Sequence, residues 1–384
     1  MKKILIVNNN FLIGGIQKAL IEMVKKISND YEITILCFQN IGELKLDIPE
    51  NVKVVETKSL YKYLGKSQSS WKFFDKIKRA ILVLMTRLFN FSFVAPILNA
   101  SISKNEKNEH YDIAISYMQN SGNKSFYGGT ADYVLQLNAD KKLQFIHCDY
   151  EFSGTRCGHN DILYSKYDRI VCVSESVKYT FLKLLPELKE KTTYLYNAID
   201  EERILSLSQI NSFEYDKSYI NFISVARLSK EKGIDRAVEA FAKIKESGIK
   251  FRYYVVGDGQ EKSTILSLIE KYELTDSVFL LGEKTNPYAF MKNADYLLVP
   301  SRHEAAPIVF QEAKVLQLPI ITTATISAQE MVGNNYGYVI ENSDDGIEKG
   351  IKKALNSNLI FNYPDTTINY FNDNFYNLIH SKDF

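Results

Sequence analysis

Cysteine is scarce in this sequence. The 384 residues hold four, Cys37, Cys148, Cys157 and Cys172, and no two of them form a CxxC pair. That spacing argues against a cysteine-type zinc site or a disulfide scaffold and fits a reducing compartment. A surplus of one charge is also missing: 47 Lys and Arg stand against 46 Asp and Glu, so nothing draws the whole chain toward nucleic acid. No apolar run approaches the roughly 20 residues of a spanning helix. The start, MKKILIVNNNF, has an apolar run too short for a signal-peptide core and reads as a buried first strand. The expectation is a protein made and kept in the cytoplasm. Short-period repeats, low-complexity tracts, a GxGxxG fingerprint, a P-loop and a DxD at a strand end are all absent too.

What is present describes a soluble globular chain, 45% hydrophobic and 24% charged, and long enough for two domains. In the second half short Val/Ile/Tyr-rich runs alternate with helical stretches, which implies βα units and a parallel sheet. Strands are expected at 219–225, 251–256, 278–281, 295–299, 319–323 and 336–340. Between the first two, Ile234, Val238, Phe241 and Ile244 recur at helical spacing and Gly248 closes the helix. The first half repeats the theme in KILIV, EITILCF, DIAIS, LQFIH, RIVCVS and TTYLY, with an amphipathic helix over 16–27. The stretch 200–217 is polar, carries no strand signal and reads as the boundary region. The α/β chain then divides into two doubly wound domains at 1–205 and 206–360, with a tail at 361–384 expected to pack back on the first. One segment departs from this pattern. Residues 61–90 hold seven Lys/Arg and one acid, and 61–98 interleaves them with Trp71, Phe73, Phe74, Phe89 and Phe91. A basic, aromatic-bearing helix can lie in the plane of an anionic membrane; a pair of core helices with lysines on their wet faces has the same composition.

Four stretches carry candidate chemistry. In SRHEAAPIVFQEA, 301–313, Glu304 and Glu312 are eight residues apart, a rotation of about 80° on a helix. Pro307 suits a first helical turn, so Glu304 is expected in the loop after a strand and Glu312 more than a turn into the next helix. Both then lie near the carboxyl end of a strand, where open α/β sheets bind ligands, beside a helix N-terminus that offers N–H groups to an anion. Two glutamates at this spacing are also commonly solvated charges. In ARLSKEKG, 226–233, Arg227 ends a strand and Lys232 precedes a helix at the same edge, and a guanidinium fork with an ammonium suits a diphosphate. In NNNFLIGGIQKAL, 8–20, Gly14 and Gly15 allow close backbone approach at a helix start. In FIHCDY, 145–150, His147 closes a strand, either as a structural residue or facing a cleft.

Together these positions resemble a known set. The Gly-Gly after the first strand, the strand-end His, RLxxxKG, GDG at 257–259, PSRHEAAPIVFQEAxxxxLPII, VCVSESV at 171–177 and YNAID at 196–200 resemble the retaining glycosyltransferases of family 4, of GT-B fold. IHCDY followed by YDRIVCVSESVKYTFL resembles the bacterial surface and capsular polysaccharide members. The resemblance implies two Rossmann-like domains facing a cleft, the first for the acceptor and the second for the nucleotide sugar. It implies Arg227 and Lys232 on the donor diphosphate with Gly14 and Gly15, Glu304, Ala305, Ala306, Ile308 and Val309 along the donor sugar, and Glu312 on the ribose. His147 and Glu304 would be catalytic. The reaction implied is a metal-independent, hexosyltransferase-type transfer from a nucleotide sugar, UDP by family precedent, to a saccharide or lipid-linked saccharide. No cofactor is implied, and the balanced charge gives no nucleic-acid partner; if the basic segment 61–98 contacts the inner face of the membrane, a lipid-linked saccharide is the expected acceptor. Three positions depart from the family pattern: Ala305 and Leu318 replace glycines, and Gln17 replaces an acidic residue. Ala305 puts a methyl group where the sugar is expected. Two other readings stand beside this one, a nucleotide-sugar epimerase of the same architecture and a non-catalytic partner subunit.

Overall fold

The structure, a computed structural model, describes residues 1–65, 71–333, 335–356 and 370–380. Residues 66–70 of the basic segment, and 361–369 and 381–384 of the tail, lie outside the described residues. The described chain forms two compact units. One is Met1–Ala198 together with the helix at 370–380; the other begins at Ile199 and runs to 356.

The first unit is built on seven parallel strands, β1 (Lys3–Asn8), β2 (Glu32–Cys37), β3 (Lys53–Glu56), β4 (His110–Ser116), β5 (Asn138–Ile146), β6 (Arg169–Cys172) and β7 (Thr192–Tyr194), in the order β3-β2-β1-β4-β5-β6-β7. Apolar runs such as Ile4–Val7 form strands because both faces of the sheet are covered by helices. The helix Gly15–Ile27 covers part of one face with Leu20, Ile21, Val24 and Ile27. Strand β3 lies outside the expected set. It is a four-residue edge strand in NVKVVE, half-buried at Val54 and Val55, and its conformation is set by pairing with β2 rather than by local pattern. The helix Tyr370–His380 belongs to this unit. Its Phe375 packs edge-on against Tyr31 at 6.0 Å, and Lys2 Nζ donates to the Ile379 carbonyl at 3.0 Å.

The second unit has six parallel strands, β8 (Ile220–Val225), β9 (Phe251–Val256), β10 (Val278–Gly282), β11 (Tyr296–Val299), β12 (Ile320–Thr323) and β13 (Gly337–Ile340), in the order β10-β9-β8-β11-β12-β13. The polar stretch at 200–217 contributes a helix, Glu201–Gln209, whose start is capped by Asp200 accepting from the Arg203 N–H at 3.0 Å. Its Ile204 and Leu207 pack on Tyr288, Met291 and Phe310, which is why this helix goes with the second unit.

In both sheets the chain winds outward from a central strand in one direction and then in the other, so the order reverses between β1 and β4 and again between β8 and β11. The carboxyl ends of such strand pairs open a crevice that no crossover helix fills.

Candidate functional site

The reversal point of the second sheet gathers charge. β8 ends its apolar run at Val225, and Ala226-Arg227 follow at its carboxyl edge; β11 ends at Val299, and Pro300–Glu304 follow at the same edge. Two glycines allow close approach here, Gly233 between these two segments and Gly257, which follows β9, against the end of the first. Gly233 sits at φ +66°, and a Cβ there would stand 2.1 Å from the Pro300 carbonyl oxygen. Gly257 sits at φ +145°, where a Cβ would stand 1.9 Å from the Ala226 carbonyl oxygen. Neither conformation nor spacing admits a side chain without displacement.

This close approach sets Lys232 Nζ 2.6 Å from Glu304 Oε1, which also accepts from the Ser301 hydroxyl at 2.8 Å. The pair is largely shielded from water. Arg227 is the opposite case: its guanidinium is 62% exposed and meets only Glu231 among the described residues, at 3.1 Å. Exposed pairs of this kind contribute about 0.2–1 kcal/mol, so the guanidinium is readily redirected to an incoming anion. Pro307 stands just ahead of the helix Ile308–Val315, which leaves Glu304, Ala305 and Ala306 in the preceding loop and Ile308 and Val309 in the first turn. Glu312 lies further along this helix, only 3% exposed, and its Oε1 accepts from the Tyr288 hydroxyl at 3.0 Å. A carboxylate this deep is tolerated because it is hydrogen-bonded.

A second set of charges was not legible from spacing. Arg302 grips Asp235 through both guanidinium nitrogens, at 2.8 and 2.9 Å, and also donates to the Lys230 carbonyl at 2.7 Å. Lys230 Nζ adds a 2.6 Å contact to Asp235. Burial works to raise the Asp235 carboxyl, but Arg302 and Lys230 overcome it and hold it at about 2. These bonds fasten the loop after β11 to the loop after β8, so they position the candidates rather than join them. The partners are 67 residues apart, and only their shared nearness to Gly233 and Glu304 in the motifs hints at a role. Asp344 and Asp345 open the helix Asp344–Leu355, with Asp344 on Arg236 at 2.8 Å. Leu318 is a buried core residue, and the left-handed backbone that favours glycine falls one residue earlier, at Gln317 with φ +54°.

The reversal point of the first sheet is neutral. Asn8, Asn9 and Asn10 close β1 with at most 1% exposure. Asn8 donates to the Asn10 carbonyl at 2.7 Å, and Asn10 Oδ1 accepts from the Leu12 N–H at 3.1 Å. Asn8 Oδ1, Asn9 Oδ1 and Asn10 Nδ2 have no hydrogen-bond partner among the described residues. Gly14 is extended and precedes the helix; Gly15 begins it, with open space where a side chain would stand. His147 follows β5 and is 7% exposed, its ring 4.7 Å from that of Tyr117 and 5.9 Å from that of Phe145. Burial lowers its pKa to about 4, against a weaker opposing hydrogen bond with the Tyr117 backbone, so the imidazole is neutral at physiological pH. A separate cavity of about 450 Å³ in this unit is lined by Asp132, His159, Asn99 and Lys166, with Asp132 and His159 at 2.8 Å, and includes none of the candidates. Among the described residues no cluster of three or more His, Cys, Asp or Glu is placed to hold a metal.

Residues 208–371 match the family model for glycosyl transferases group 1, a stretch that takes in most of the second unit. The chain is 30% identical over 160 residues to the O-antigen biosynthesis glycosyltransferase WclY of Escherichia coli, covering 41% of this chain and 43% of that one. It is 27% identical over 197 residues to the N-acetylgalactosamine-N,N'-diacetylbacillosaminyl-diphospho-undecaprenol 4-alpha-N-acetylgalactosaminyltransferase of Campylobacter jejuni, covering 50% and 52%. The chain thus spans from a third to about a half of the length of the curated relatives it matches. Among solved structures it resembles Anabaena HepE in complex with UDP and glucose, at a TM-score of 0.63 and 16% identity over 93% of this chain and 90% of that one. That likeness is one of fold, the GT-B fold of two Rossmann-like units.

Proposed function

We propose that this protein is a retaining glycosyltransferase that moves a hexosyl group from a UDP-sugar to a saccharide or lipid-linked saccharide during synthesis of a bacterial surface polysaccharide. The observation that carries the reading is the convergence of Arg227, Lys232 and Glu304 at the carboxyl edge where the second sheet reverses. In the proposed reaction the sugar–phosphate bond breaks and the diphosphate gains negative charge. Arg227, Lys232 and the N–H groups at Ile308 and Val309 offset that charge without a metal. Glu304 and the loop through Ala305 and Ala306 take the sugar hydroxyls, and Glu312 takes the ribose. The leaving phosphate accepts the acceptor's proton, which accounts for retention. The resemblance assigns Gly14 and Gly15 of the first unit to the diphosphate, and at Gly15 the space a side chain would fill is open. A neutral His147 orients the sugar by hydrogen bonding rather than by donating a proton. The names of the relatives support the substrate class: one makes O-antigen, another is named for an undecaprenyl-diphosphate acceptor, and the solved HepE holds UDP and glucose.

The test is a thermal-shift screen of UDP, GDP, ADP and their sugar conjugates on the wild type, Arg227→Ala and Glu312→Gln. Glutamine is used at 312 because alanine would strand the Tyr288 hydroxyl. A nucleotide at 100 times its Kd adds about 2.7 kcal/mol to the folded state. The expected result is a rise in Tm with uridine nucleotides that shrinks in both variants. No rise with any nucleotide diphosphate overturns the reading in favour of a non-catalytic subunit.

A further inference from the structure

The basic segment read from the sequence forms two helices, Phe73–Phe89 and Phe91–Ala100, joined at Asn90 with φ +74°. The first has two apolar faces. Leu82 and Thr86 are buried and turn toward the first unit. Phe73, Phe74, Ile77, Ile81, Leu84 and Leu88 are 40–74% exposed. On a helix of 3.6 residues per turn these six fall within a single arc of about 100°, while Leu82 and Thr86 lie on the far side. The exposed stripe continues through Phe89, which meets Phe93 at 5.2 Å, to Ile97 on the second helix. A contiguous apolar stripe of this length on the surface of a globular unit marks an interaction site.

Charge decides what covers it. Lys76 and Arg87 flank the arc on one side and Lys78 on the other, each within about 60° of its edge at 100° per residue. Asp75 is the only acid in 71–100; it lies away from the stripe, accepts from the Tyr63 hydroxyl and pairs with Lys62 at 3.4 Å. A second copy docked stripe to stripe, parallel or antiparallel, would set cation against cation along both edges. An apolar arc between two rows of cations instead matches a leaflet of anionic lipids, with the rings and aliphatic chains among the acyl boundary and the ammonium and guanidinium groups at the phosphates. No described helix is long and apolar enough to cross a membrane, so the contact is in the plane of the surface.

We propose that the stripe from Phe73 to Ile97 docks the first unit on an anionic bilayer. This stands on the exposed stripe and its flanking cations and holds whether or not the donor site reads as proposed above.

The experiment is flotation of the full chain with vesicles of phosphatidylcholine, pure or with 30% phosphatidylglycerol. Three proteins are compared: the wild type, a stripe variant (Phe74→Ser, Ile77→Ser, Leu84→Ser, Leu88→Ser) and a charge variant (Lys76→Glu, Lys78→Glu, Arg87→Glu). Arg79 is left in place because its Nε donates to the Tyr63 carbonyl at 3.2 Å and anchors the helix. All substituted side chains are exposed, and an unchanged cooperative melt confirms that each variant folds. The wild type is expected to float with the anionic vesicles and to be released by salt. The stripe variant should remain at the bottom of the gradient. The charge variant should bind at least a hundredfold more weakly, since each cation near an anionic leaflet is worth about fivefold. Failure of the wild type to float, or flotation of the stripe variant equal to it, overturns the proposal. A concentration-dependent dimer that the stripe variant abolishes, without vesicle binding, would assign the stripe to a second copy instead.

Discussion

The two sheets share one winding and differ in what they place at its reversal. In the second unit the crevice is rimmed by Arg227, Lys232, Glu304, Asp235 and Arg302, cross-tied by ion pairs of 2.6–3.1 Å. In the first it is rimmed by three buried asparagines and a neutral histidine. The topology opens a crevice at both reversals, and the side chains give the second a charged rim and the first an uncharged one. The glycines make the same contrast. Gly257 is required by both backbone angle and space, whereas Gly15 stands open.

The largest expected effect breaks the comparison at its glycines. Gly257→Ala should cost about 3 kcal/mol in urea denaturation through strain at positive φ and a backbone clash, while Gly15→Ala should stay within about 0.5 kcal/mol. Equal effects would mean that the loop after β9 does not lie as close to Ala226 as described. Next is the clamp. Asp235→Ala leaves Arg302 and Lys230 without their carboxylate and should cost about 2–3 kcal/mol. Because the folded carboxyl is held at about 2, wild-type stability from this group is present above pH 4 and lost as pH falls toward 2, and the alanine variant should lack that loss. The smallest effect belongs to the neutral crevice. An unfolded histidine titrates near 6.5 and His147 at about 4, so the unfolded chain takes up a proton first as pH falls through that window. Stability should drop by about 2 kcal/mol between pH 7 and pH 5. Replacing the imidazole, His147→Phe, should remove that slope; an unchanged slope would assign it to other groups.

Much of this was legible in the sequence because it rests on local chemistry. Buried strands announce themselves as apolar runs, and Pro307 separates a loop glutamate from a helical one wherever the chain is placed. Edge strand β3 escaped because four half-buried residues take their conformation from β2. The Arg302–Asp235 clamp escaped because nothing local links residues 67 apart. The left-handed backbone at Gln317 escaped because backbone angles at a helix end are not written in side-chain chemistry.

Two amphipathic helices show where the division falls. Ile234–Lys245 and Phe73–Phe89 both carry apolar residues at helical spacing, and the period alone determined that each would be a helix. Only the tertiary structure decided that Val238, Phe241 and Ile244 are sealed in a core while Ile77, Leu84 and Leu88 face outward. Periodicity is a property of neighbouring residues along the chain; burial depends on what distant segments bring to cover them.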